Sequence, residues 1–101
     1  MNPRKKALFL DRDGVINVDS GYVWRKEDLI LREEIFPFLQ QVQEKYVFII
    51  ITNQSGIARG MYKKEDVDTF HQALRAKLEK GNIHILDIFF CPHHPDHGSS
   101  C

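Results

Sequence analysis

Three features of the sequence predict an α/β fold, an incomplete doubly wound (Rossmann-like) parallel sheet. Uninterrupted apolar runs at residues 7–10 (ALFL) and 46–51 (YVFIII) are patterned for strands covered on both faces. Segments with apolar residues at helical spacing alternate with such runs. Strand, helix, strand, helix, strand is a βαβαβ unit, whose right-handed crossovers make the strands parallel. Finally, the strands stop on polar clusters, and ligand sites of open α/β sheets lie outside the carboxyl ends of the strands.

The first strand, residues 7–10, breaks off at Asp11-Arg12-Asp13-Gly14. Residues 15–31 mix Gly21, Tyr22 and Trp24 with charges and read as a loop with room for a short hairpin. Over residues 33–45, Ile35, Phe38, Leu39 and Val42 fall at helical spacing. Glu33 and Glu34 at the start and Lys45 at the end suit the helix dipole. Pro37 is tolerated only in a first turn, which moves the start to Ile35 or Phe36. Residues 46–51, β-branched and aromatic throughout, form the strongest strand and run into Thr52-Asn53-Gln54-Ser55-Gly56. A second helix over residues 64–80 follows from Val67, Phe70, Leu74 and Leu78, with Gly81 expected as a left-handed C-terminal cap. His71 falls on the polar side or border of that helix, as a structural residue. A third strand, residues 83–90, leads into a Cys/His segment.

The chain of 101 residues makes one domain, without repeats or low-complexity segments. With 43% hydrophobic and 28% charged residues it is globular rather than disordered. Fourteen basic and fourteen acidic residues cancel, so no global field draws it to nucleic acid or a membrane surface; Arg4-Lys5-Lys6 reads as a solvated tail. No apolar run approaches the roughly 20 residues of a membrane span, and none suits a secretory signal. The expectation is a cytoplasmic monomer with a small-molecule ligand. Cys91 and Cys101 cluster with His93, His94 and His97, which in a reducing compartment suggests metal binding more than a disulfide.

Asp11 and Asp13, two apart at a strand end, can project into one small volume while Gly14 turns the chain away. A Mg²⁺ ion beside them relieves their repulsion and clamps a phosphate oxygen. One carboxylate can attack while the other shuttles a proton. A hydroxyl and backbone N–H groups around Thr52 and Asn53 suit the remaining phosphate oxygens. Taken singly, Asp-x-Asp-Gly reads equally as a solvated turn and Thr-Asn-Gln as a polar strand end; their convergence at the ends of two strands of one unit is what points to a site.

The string FLDRDGVIN (residues 9–17) resembles the first motif of the haloacid-dehalogenase-like phosphatases, and ITNQSGIARG (residues 51–60) resembles their second. INVDSGYV (residues 16–23) and CPHHP (residues 91–95) are similar to the members that act on a heptose bisphosphate, and the likeness runs over essentially the whole chain. The resemblance implies that Asp11 is a nucleophile forming an aspartyl-phosphate and that Asp13 protonates the leaving alkoxide and then activates water. It implies Mg²⁺ on the Asp11 carboxylate and the Asp13 backbone carbonyl, Thr52 on the transferring phosphoryl group, and a pocket lined by Asp19, Ser20, Gly21, Tyr22, Asn53, Gln54 and Ser55. The expected substrate is a sugar bisphosphate, a heptose 1,7-bisphosphate losing its 7-phosphate. The resemblance also implies a zinc loop, with structural Zn²⁺ on Cys91, His93 and Cys101 and a fourth ligand after residue 101; His94 and His97 are then loop residues. Arg59 reaches either a second phosphate or solvent.

Two further enzyme readings remain, a histidinol-phosphate phosphatase and a polynucleotide 3′-phosphatase; zero net charge and the Cys-x-His loop argue against the second. A different reading is a truncated module that binds metal or a partner without turnover. The family's basic third motif and acidic fourth motif have no counterpart here. Residues 1–101 are therefore expected to be the N-terminal portion of a single longer phosphatase domain, with residues 7–10 at a bare sheet edge and poorly cooperative urea unfolding.

Overall fold

The computed structural model describes residues 5–92. Strand β1 (Lys6–Asp11) is followed by helix α1 (Phe36–Val42), strand β2 (Tyr46–Asn53), helix α2 (Lys64–Lys80) and strand β3 (Ile85–Cys91). The sheet has the order β1-β2-β3, and both pairings are parallel, with Asp11 opposite Ile51 and Asn53 opposite Cys91. The βαβαβ unit stands as expected, with β2 central and β1 at an edge.

Only one face of this sheet is covered among the described residues. Phe48 and Ile50 of β2 and Ile85 of β3 pack with Leu39 of α1 and with Phe70, Leu74 and Leu78 of α2; Leu8, Leu10 and Ile88 lean on the same cluster. On the opposite face Phe9 is 59%, Ile51 46% and Phe89 55% exposed. The expectation of strands covered on both faces is corrected here, and the reason is topological. Both connections step the same way along the strand order, so crossovers of one hand put both helices on one side.

Local chemistry accounts for the helix ends. The first helical segment opens as a 3₁₀ turn, Glu33–Ile35, and becomes α-helical at Phe36, with Pro37 in the first turn where its missing N–H costs nothing. It ends at Val42 instead of Lys45. Helix α2 starts where the Asp66 carboxylate accepts the Lys63 N–H at 2.9 Å. Gly81 is not the left-handed cap: its φ is −87°, and Asn82 takes the left-handed conformation at φ 60°, which asparagine tolerates. What Gly81 supplies is space, since a Cβ there would lie 2.8 Å from the Phe36 ring.

Residues 15–31 are more than a loop. Single β-bridges join Asn17 to Asp13 and to Leu31, a 3₁₀ turn spans Lys26–Asp28, and Ile16, Val23 and Leu29 enter the core. No helix among the described residues is long and apolar enough to cross a membrane.

Candidate active site

Parallel pairing brings the carboxyl ends of the strands to one edge of the sheet, and a cavity of about 240 Å³ opens there, lined by Asp11, Arg12, Asp13, Asp19, Ile51, Thr52 and Asn53. A larger hollow of about 630 Å³, lined by residues such as Leu31, Phe36, Lys77 and Gly81, contains none of the polar strand ends.

The turn after β1 shapes the first wall. The Arg12 carbonyl accepts the N–H groups of Ile16 at 2.8 Å and Asn17 at 3.1 Å. Gly14, at φ 86°, makes the left-handed step. This folds Asn17 back beneath Asp13, so that Asn17 Nδ2 donates to Asp13 Oδ1 at 3.0 Å. Asn17 Oδ1 is buried and has no partner among the described residues.

The carboxylates at the end of β1 differ in their surroundings. Asp11 is exposed, and its carboxylate makes no hydrogen bond or ion pair with another described residue. Asp13 is anchored: Arg12 donates to its Oδ1 through Nε at 3.1 Å and Nη2 at 2.7 Å, in addition to the Asn17 bond. Its Oδ2 receives only long contacts of 3.4 Å, from Thr52 Oγ1 and Gln54 Nε2.

Beyond β2, Gln54 is buried and donates to Thr52 Oγ1 at 2.9 Å, while Tyr62 donates to Gln54 Oε1 at 2.6 Å. Trp24 stacks on the Tyr62 ring at 5.6 Å, and burial pushes the Tyr62 phenol pKa up. Gly56 makes room for that ring, for a Cβ at residue 56 would lie 2.2 Å from Tyr62 Cε1. Asn53 Oδ1 accepts the Ser55 N–H at 2.9 Å, turning the chain away from the strand end.

Of the residues expected in the site, the structure gathers Asp11, Asp13, Asp19, Thr52 and Asn53 around the cavity. Gln54 stands behind Thr52 as a support. Ser20, Gly21, Tyr22 and Ser55 do not line this cavity. Gly21 and Tyr22 sit in left-handed conformations at φ 87° and 46°, and Arg59 donates to Tyr22 Oη at 2.5 Å while lying over its ring. Cys91 closes β3, and its carbonyl accepts the Gln54 N–H at 2.7 Å; His93 and Cys101 lie outside the described residues.

Arg12 and His71 lie behind the cavity wall, and of the two placements expected for His71, polar side or border of its helix, the polar side is excluded. His71 is 6% exposed, not on a polar face. Its position four after Val67 and three before Leu74 sets it within the apolar stripe, a signal available in the sequence. Burial, with Arg12 beside it, lowers its pKa to about 4.

Three carboxylates and one guanidinium line the cavity, leaving it two charges negative when all are ionised, a poor host for a phosphate without a further cation. Among the described residues no three His, Cys, Asp or Glu side chains form a metal cage. Mg²⁺ does not require one, because it takes one or two carboxylates and fills its shell with water and phosphate oxygens. The exposed Asp11 carboxylate beside the Asp13 backbone fits that demand.

No family model matches the chain. It is 46% identical over 98 residues to the D-glycero-beta-D-manno-heptose-1,7-bisphosphate 7-phosphatase of Helicobacter pylori strain ATCC 700392 / 26695, a match covering 95% of this chain and 57% of that protein. A probable D-glycero-D-manno-heptose-1,7-bisphosphate 7-phosphatase of Thermoplasma acidophilum is 39% identical over 101 residues, covering 99% and 63%. Among solved structures, the D,D-heptose 1,7-bisphosphate phosphatase of B. bronchiseptica, complexed with magnesium and phosphate, superposes with a TM-score of 0.85 at 33% identity, covering 95% of this chain and 55% of that one. A putative HAD-like phosphatase of Mesorhizobium loti gives 0.87 at 30% identity, covering 96% and 47%. The chain spans about half the length of the curated relatives it matches. By sequence and by fold it is thus related to the haloacid-dehalogenase-like phosphatases, over about half the length of one.

Proposed function

We propose that the strand-end cavity hydrolyses a phosphomonoester of a sugar bisphosphate, the 7-phosphate of a D-glycero-D-manno-heptose 1,7-bisphosphate. The observation that carries the reading is the division between the two carboxylates: Asp11 is open and has no hydrogen-bond or ion-pair partner among the described residues, whereas Asp13 is tethered at Oδ1 and held at Oδ2 only by contacts of 3.4 Å. An Asp11 oxygen attacks phosphorus, and the bond from phosphorus to the sugar oxygen breaks. Asp13 Oδ2 delivers its proton to the departing alkoxide. Water then attacks the aspartyl-phosphate, Asp13 takes the water proton, and cleavage of the bond to Asp11 returns its carboxylate and releases inorganic phosphate. Thr52 Oγ1, held by Gln54, orients a phosphoryl oxygen. Asp11 and the Asp13 carbonyl would hold Mg²⁺, which supplies positive charge to the phosphoryl group. The structural zinc expected on Cys91, His93 and Cys101 is not part of this reading, because Cys91 is disulfide-bonded and offers no thiolate.

The test is phosphate release from the heptose bisphosphate with Mg²⁺, by the chain and by Asp11→Asn. Release that vanishes with Asp11→Asn is expected; release surviving the substitution removes Asp11 as nucleophile, and a chain releasing none overturns the hydrolytic reading.

A further inference from the structure

We propose that Arg12, braced by His71, is a positioning residue that ties down Asp13 Oδ1 and thereby selects Oδ2 as the oxygen that handles the proton. This rests on the phosphatase reading above.

Arg12 follows the proposed nucleophile directly, yet it is not placed to bind substrate, for its side chain is 0% exposed. Every arm of the guanidinium is engaged inside the protein. Nε and Nη2 donate to Asp13 Oδ1, Nη2 also donates to the Val23 carbonyl at 2.7 Å, and Nη1 donates to His71 Nε2 at 3.2 Å. The Phe70 ring lies 4.4 Å from its central carbon. Burying such a charge is costly, and an apolar residue of similar volume often stabilises a fold as well or better. An apolar residue could not hold a carboxylate.

The consequence falls on Asp13. Oδ1 accepts two N–H bonds from Arg12 and one from Asn17, whereas Oδ2 is left with two contacts of 3.4 Å. Both guanidinium donors converge on that one oxygen from directions set by the rigid planar fork, which a lysine ammonium cannot reproduce. His71 has the matching role. Accepting from Arg12 requires its Nε2 to be unprotonated, and Phe70 and Phe90 hold the ring edge-on at 6.2 and 5.9 Å. Helix α2 and strand β3 thus set the orientation of a carboxylate carried by the turn after β1.

The experiment uses the full chain with Mg²⁺ and two probes: an alkyl phosphomonoester, whose leaving group needs a proton, and 4-nitrophenyl phosphate, whose leaving group does not. For Arg12→Lys, kcat on the alkyl ester should fall about 100-fold with KM little changed, and much less on the aryl ester. In an Asp13→Asn background the same substitution should cost almost nothing more. His71→Leu should act in the same direction, and His71→Gln, which keeps an acceptor, should restore most of the loss. Should Arg12→Lys fail to fold, the His71 pair carries the comparison. Equal losses on both probes, or losses that add in full to Asp13→Asn, mean that Arg12 is merely structural. Exchange of the Arg12 Nε–H with solvent, read by NMR, should be slow; in an active chain, exchange as fast as at exposed Arg25 overturns the positioning alone. A chain that turns over neither probe overturns the phosphatase reading and this proposal together.

Discussion

Acidification should destabilise this protein through His71. In an unfolded chain its imidazole titrates near the usual 6.5, whereas burial first, and then the Arg12 charge, lower it to about 4 in the fold. Between those values the unfolded chain binds a proton that the folded one refuses. His71 therefore takes nothing from stability above the unfolded pKa, takes progressively more as pH falls through the window, and levels off below the folded pKa. A shift from 6.5 to about 4 corresponds to about 3 kcal/mol, a large share of the 5–15 kcal/mol typical of a folded domain. Arg12, Asp13, Arg75, Phe70 and Phe90 are the groups around the ring. Urea midpoints compared between the chain and His71→Gln, from about pH 7.5 down to about pH 4, isolate this contribution from that of the carboxylates. The native chain should lose more stability than the variant, by about 3 kcal/mol over the window. Parallel pH dependences, or a His71 ring titrating near 6.5 by NMR, would refute the reasoning.

Other substitutions probe separate parts of the fold. Gly56→Ala puts a methyl group against the Tyr62 ring, so it should cost about 1–3 kcal/mol by overpacking and perturb Thr52 through Gln54, both readable from a thermal melt and the Thr52 amide shift. Leu74→Ala empties a fully buried site and should cost about 2–5 kcal/mol in urea unfolding. Phe89→Lys on the uncovered sheet face should change stability by less than about 0.5 kcal/mol while weakening binding of an apolar fluorescent dye.

The helix α2 was legible from its period and the strands from their composition: residues 64–80 carry an apolar stripe at helical spacing, and YVFIII is a short run of β-branched and aromatic residues. That Asp11, Asp13 and Thr52 share one cavity was legible because strand ends in a parallel sheet meet at one edge. What escaped depended on contacts between distant residues. Gly81 looked like a cap because glycine usually is one, but the Phe36 ring, 45 residues earlier, determines its size. The core role of Ile16, Val23 and Leu29 was hidden in a segment without periodicity. Arg12 reads in sequence as a solvated residue between two aspartates. Only the fold shows His71 and the Val23 carbonyl closing over it.

The central claim is that Asp11 takes the phosphoryl group. It is tested most directly by quenching the chain in acid during turnover of a phosphorus-labelled heptose bisphosphate, reducing the acyl phosphate with borohydride and sequencing the labelled peptide. The expected result is modification at Asp11, absent from Asp11→Asn. Phosphate released without modification at Asp11, or no release from the native chain, would contradict the account.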